Sequence, residues 1–167
     1  MLLTTLGAGD YIMLGNDVVV HFDHKIDDNN ISIAVEAPKN VSVLRKKLFE
    51  AGVSLNNDTD STEISRFLVT LNAKEDYVMI GKDIQVKYKG NKGHSFSIGV
   101  SAPRDIKITL KSTYEKEIEQ AAQQGDYQAQ IIADMLTQQA LERKRLSAQR
   151  KVKQQKHKQN HAKQKTT

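Results

Sequence analysis

The sequence predicts a mainly β protein of two similar five-stranded halves, followed by an α-helical extension and a basic tail. Three observations lead there. The segment DYIMLGNDVVV (10–20) returns as DYVMIGKDIQV (76–86). Both copies hold short β-branched runs bounded by turn residues. After residue 113 the composition shifts to Glu, Gln and Ala, then to Lys and Gln, with helical rather than strand periodicity.

The repeat extends well beyond its first match. Residues 1–22 align without a gap on 67–88 with eight identities, and ISIAVEAPKNVSV (31–43) then falls over FSIGVSAPRDIKI (96–108) after one residue of slippage. Two matching blocks in one order at nearly constant spacing read as a tandem duplication.

The elements follow in order. LLTT opens the first copy; YIML and DVVVHF flank a turn at Gly15, and the β-branched residues suit a pleated, half-buried surface. HKIDDNN is a turn-rich connection. ISIAVEA alternates as a strand and stops at Pro38, where the ladder loses a donor; a short strand, 41–44, follows. The second copy repeats this with FLVT, YVMI, the Gly81 turn, IQVKY, FSIGVSA ending at Pro103, and 106–110. A copy of about fifty residues buries too little surface to be stable alone, so two copies covering each other is the physical reason for one chain.

Composition narrows the function classes. The absence of cysteine excludes disulfides, thiolate metal sites and cysteine nucleophiles. His21 and His24 lie three apart on a strand and point to opposite faces, and NNDTDST lacks the glycine and glutamate of a calcium loop. We expect no metal, no cofactor and no enzyme. No apolar run is long enough to span a bilayer and the start lacks a signal-peptide pattern, so a cytoplasmic protein is expected. From residue 141 onward ten Lys/Arg face one acid, whereas residues 1–140 carry a net charge of −4. Polyanion affinity is expected in the tail.

The order of strand, M-x-G-x-D hairpin, long hairpin, SIAVEAPKNVSVLRKKL and helix resembles the carbon storage regulator family (CsrA/RsmA) over residues 1–51 and 67–117. The resemblance implies a small RNA-binding regulator of translation. In that family two subunits exchange strands, and the first strand of one beside the fifth of the other forms each of two sites for GGA-containing hairpin loops. Here both subunits would be fused, with 52–66 as a polar linker, giving a monomeric pseudo-dimer. One composite site would join Val69, Thr70 and Leu71 to Val43, Arg45 and Lys46; the other would join Leu3, Thr4 and Thr5 to Leu110 and Lys111. Backbone around Ala37, Pro38 and Lys39, and around Ala102, Pro103 and Arg104, would help read guanines.

Departures from the family pattern predict unequal sites. Two arginines usual after the first strand are Leu6 and Gly7 in one copy and Asn72 and Ala73 in the other. The arginine seven residues past the proline is Arg45 in the first copy but Leu110 in the second, with Lys111 beside it. Tyr11 and Tyr77 are expected to pack in the hairpins rather than stack on bases.

The remainder lies outside the family pattern. TYEKEIEQAAQQ reads as a helix broken at Gly125, with Asp126 capping a second one. The helical extension is placed at 118–148, with Ala129, Ile132, Met135, Leu136 and Leu146 near one face. Residues 149–167 are low-complexity Lys, Gln and His, expected to be disordered when free; 141–167 would contact RNA phosphates. The function expected is binding of a messenger leader or small RNA to alter translation or transcript stability. The alternative is an interaction protein that sequesters a regulator or protein partner.

Overall fold

The computed structural model describes residues 1–53, 63–74 and 76–164, without the side chains of 92, 150, 151 and 153–164. Two units are distinguished, 1–111 and 112–167. Most of the expected linker, residues 54–62, lies outside the described residues.

The first unit holds ten strands. The first half supplies β1 (Leu2–Leu6), β2 (Tyr11–Leu14), β3 (Val18–Lys25), β4 (Asn30–Pro38) and β5 (Val43–Arg45), then the short helix α1 (Lys46–Glu50). The second supplies β6 (Ile64–Asn72), β7 (Tyr77–Ile80), β8 (Ile84–Lys92), β9 (Ser95–Ser101) and β10 (Ile108–Leu110). Gly15 and Gly81 both adopt φ of 63°, a left-handed conformation that a Cβ would strain, at the matching turn of each half. A register shift falls between Phe22 and His24, and again at the equivalent place between Tyr88 and Gly90.

The strands form two antiparallel sheets, ordered β1-β9-β8-β7-β5 and β10-β2-β3-β4-β6. Each sheet takes its three middle strands from one half and both outer strands from the other. The inward residues of both sheets make one core, including Ile12, Ile33, Val35 and Leu71 from one and Val78, Val86, Ile98 and Val100 from the other. Fully burying each such side chain stabilises by about 1.5–3 kcal/mol. The core is thus common property of both halves.

The two halves differ at one edge. β1 pairs with β9 from Leu2↔Val100 to Leu6↔Phe96, whereas β6 pairs with β4 over nine residues, from Asn72↔Asn30 to Ile64↔Pro38. Residues 64–66, expected in the linker, are strand. They complete a ladder with the end of β4, whose main chain would otherwise lack partners.

The second unit is helical. α2 (Lys111–Gln123) ends before Gly125, which has φ of 89°, and α3 (Tyr127–Gln164) begins after Asp126, whose Oδ1 accepts the Ala129 N–H at 3.1 Å. The disordered tail expected from residue 149 is corrected: the backbone stays helical to Gln164. No Gly or Pro follows Gly125, and Lys, Gln, Arg and Ala all favour helix. The expected apolar stripe is corrected too. Ala129 is buried and Ile132, Ala133 and Leu136 half-buried, but Met135 is 56% and Leu146 50% exposed. Six residues at 3.6 per turn carry Met135 well off the Ala129 face. Among the described residues no helix is long and apolar enough to cross a membrane.

Candidate nucleic-acid interface

The site of interest is where β5, an outer strand of one sheet, meets β6, an outer strand of the other. The two ends of the β4–β6 ladder set which groups of β6 are available. Lys39 N–H donates to Glu63 O (3.0 Å) and Ala73 N–H to Asn29 O (2.8 Å). Alternation in an antiparallel ladder then turns the odd-numbered main-chain groups of β6 toward β4 and the even-numbered ones away. Thr70 is among the latter. Its carbonyl oxygen accepts from Arg45 Nη2 at 2.7 Å, so the guanidinium spans the two edges. The contact is a charge-assisted bond with other N–H donors of the guanidinium fork beyond it.

Beside it opens a cleft of 1040 Å³, lined by Arg45, Lys46, Thr70, Asn72 and Lys74 among others. The volume lies just above the range of about 300–1,000 Å³ typical of small-ligand sites. Lys46 is half-buried in its wall, whereas Val43, also half-buried, pairs with Ile80 on β7. Leu71, an expected contact residue, does not face it: the side chain is 0% exposed and the main chain belongs to the β4 ladder.

The Ala37–Pro38 segment is also less open than expected. Ala37 is fully buried and pairs with Ser65, while Pro38 pairs with Ile64. Two ion pairs tie this corner: the Lys39 ammonium bonds the Glu63 carboxylate, and Arg66 Nη1 lies 3.3 Å from Glu36 Oε1. The Lys39 ammonium holds the Glu63 carboxyl below its ordinary value, by hydrogen bonding first and by charge second. Main-chain reading at Ala37 therefore competes with the protein's own strand.

The corresponding junction in the other half is built differently. Leu110 stands in the place of Arg45 and pairs with Ile12. Lys111 Nζ donates to Gly9 O at 3.0 Å, in the turn after β1, rather than to β1 itself. Thr4 is half-buried and Thr5 exposed, paired with Ile98 and Ser97. Ala102 and Pro103 lie beyond the last strand residue of β9 and beyond its pairing with β1; both are half-buried, and Arg104 is exposed. One junction thus has the arginine and a covered Ala-Pro corner. The other has Leu110 in the place of that arginine and a corner that β1 does not cover.

Near Tyr77, Lys46 is joined by three cations that the sequence does not single out, Lys74, Lys87 and Lys89. Lys46 Nζ lies 5.9 Å and Lys87 Nζ 5.5 Å from its ring centroid, with Lys74 and Lys89 lining the same hollow. Tyr77 is only half-buried, unlike Tyr11. A signal was present: Lys74, Lys87 and Lys89 stand where the first half has Ala8, His21 and Asp23.

Comparison with known proteins finds relatives by sequence. Residues 1–53 match the family model for CsrA, described as a global regulator protein family. The translational regulator CsrA of Thermotoga maritima is 38% identical over 66 residues, spanning 40% of this chain and 76% of that protein. Its namesake in Thermosipho africanus is 39% identical over 64 residues, 38% of this chain and 86% of the relative. A third, from Thermosipho melanesiensis, is 37% identical over 73 residues, 40% of this chain and 96% of the relative. No solved structure matches the chain.

Proposed function

The chain belongs to the CsrA global regulator family, and from that premise we propose that it is an RNA-binding post-transcriptional regulator of GGA-type hairpin loops, not an enzyme. The relatives it matches are named translational regulators. We read its first unit as a pseudo-dimer in which one polypeptide performs the strand exchange of two subunits. The sheet orders support this reading, since each places two strands of one half around three of the other. The working form is then a monomer, with RNA as partner and the cytoplasm as compartment.

One observation carries the functional reading: the Arg45 guanidinium rests on the Thr70 carbonyl at 2.7 Å, at the open edge of β6. An extruded base can meet there a planar cation together with outward main-chain groups, as single-stranded RNA recognition requires. The basic segment 141–167 adds phosphate contacts that strengthen binding without specifying sequence.

The covered Ala37 corner and the missing arginines at Leu6, Gly7, Asn72 and Ala73 favour a second reading, an interaction protein that no longer reads RNA. Titration of the full chain against a GGA hairpin and a matched CCA hairpin separates the two. Preference for GGA supports the regulator; equal affinity for both removes it and leaves the interaction protein.

A further inference from the structure

The residues around Tyr77 make the two halves unequal in charge as well as in shape. Position by position, the second half has Lys74, Lys87 and Lys89 where the first has Ala8, His21 and Asp23. Lys46 and its counterpart Lys111 are alike, each with its ammonium 5.9 Å from the tyrosine ring of the other half. These extra cations therefore gather on one side of a unit, residues 1–111, in which 14 Lys/Arg balance 14 Asp/Glu.

Their arrangement is specific. Lys87 is paired directly across from Tyr77, so both side chains rise from the same face of the sheet. Lys89, two residues on, reaches over Gly99: a Cβ placed there would lie 3.4 Å from Lys89 Cε. The Tyr77 ring attracts the Lys46 and Lys87 ammonium groups through its quadrupole and limits where they can go. Its hydroxyl donates to Glu50 Oε1 at 3.2 Å. Burial, and then the Glu50 carboxylate, push the phenol up from its ordinary value, so it stays neutral beside the lysines.

The hollow at Tyr77 runs into the Arg45 cleft. Lys46, Glu50, Lys74 and Asp76 line both. Among the described residues that line the two, Glu50 and Asp76 are the acids, against Arg45 and five lysines. Cations that follow one another outward from a cleft suit the backbone of a flexible single strand better than the surface of a folded acidic protein.

We propose that this face is a phosphate track, on which Lys46, Lys74, Lys87 and Lys89 carry the single-stranded RNA that flanks the element held at Arg45 and Thr70. The proposal rests on the RNA-binding reading and adds to it the route the strand takes. Among the described residues, one of the two junctions has such a route. The flank is bound through its backbone, so its sequence is immaterial.

The test uses the full chain and linear RNA: a short GGA oligonucleotide, alone or extended by about ten uridines on the 5′ or the 3′ side. A CCA version of each serves as the mismatch. Two double variants are compared with the parent: Lys87→His with Lys89→Asp, residues that the first half already carries at these positions, and Lys87→Gln with Lys89→Gln. In the parent, extension on one side is expected to strengthen binding. Both variants are expected to lose that gain while keeping the GGA-to-CCA ratio. Two phosphate contacts contribute about 1.4 to the salt slope, which amounts to roughly 25-fold in affinity at about 0.1 M salt. An extension gain that both variants retain, or no gain in the parent, overturns the track. A GGA-to-CCA ratio near one in the parent fails the RNA-reading function instead, and is read from a different pair of curves.

Discussion

Phe22 of β3 and Phe96 of β9 stack across the two halves, ring centroids 4.2 Å apart and planes 15° from parallel. Neither half can open without breaking this contact, because Phe96 also lies among the buried residues of the shared core. Phe96→Ala is therefore expected to destabilise the whole first unit by about 3–5 kcal/mol, as truncation of a buried phenylalanine does. Urea unfolding followed by circular dichroism and by tyrosine fluorescence checks it. Coincident transitions are expected from both probes; separate melting of the two halves would contradict a shared core.

Arg45→Ala is expected to weaken GGA binding much more than Lys111→Ala. Arg45 bridges to the β6 edge, whereas Lys111 is directed to the Gly9 carbonyl. A bidentate contact to a base would make the difference about 1–3 kcal/mol. Arg45→Lys is not expected to restore it, since an ammonium has no planar fork. Isothermal titration of the three variants against the GGA hairpin decides this; equal, negligible losses would favour the interaction-protein reading.

The covered corner predicts a gain of function. Ser65 faces β4 and pairs with Ala37, so Ser65→Pro removes a ladder donor there and frees the Ala37 main chain. GGA affinity is expected to rise, with the CCA control unchanged. An unchanged GGA affinity, with Ala37 amide exchange faster in the variant, would show that this backbone is not read.

Acid should loosen the same corner. The Lys39 ammonium holds the Glu63 carboxyl below its ordinary value. A carboxyl held low contributes its stabilisation at pH above its unfolded value and loses it as pH falls through the folded one. The Lys39–Glu63 tie is thus complete at neutral pH and fails only as the pH falls below the ordinary carboxylate range. Amide exchange at Lys39 measured down the pH scale is expected to show extra opening there, absent at neutral pH; Glu63→Gln is expected to show it at both.

Removing residues 141–167 is expected to weaken GGA and CCA binding by similar factors and to flatten the salt dependence. Each phosphate released on single-stranded RNA takes about 0.7 from the slope. An unchanged slope would mean that the tail does not touch RNA, and lost discrimination would mean that it reads sequence.

The strands were the legible part. β-branched runs broken at Gly15, Gly81, Pro38 and Pro103 mark their ends, because positive φ and a missing donor are properties of single residues. Partnership was less so. That Leu71 faces inward and that 64–66 extends β6 over Ala37 depend on ladder phase and on which strand lies alongside. Neither is written in either segment alone. In the Lys and Gln tract two signals compete: low complexity suggests disorder, whereas Lys, Gln, Arg and Ala favour the helix found, and Met135 lies six residues out of phase with Ala129. The cations at Tyr77 were visible only by setting the two copies against each other and asking where they disagree.

Arg45 is encoded in the first half but sits in the sheet whose middle strands come from the second. In an assembly of identical subunits any mutation is inherited by every site at once, so an improvement at one is tied to whatever it does at its twin. A polypeptide that carries both halves escapes that bond. Selection can keep an arginine at one junction and a leucine at the other, or place lysines beside Tyr77 while leaving Ala8, His21 and Asp23 beside Tyr11. Gene and ligand site no longer share a symmetry, and each junction is free to acquire its own history.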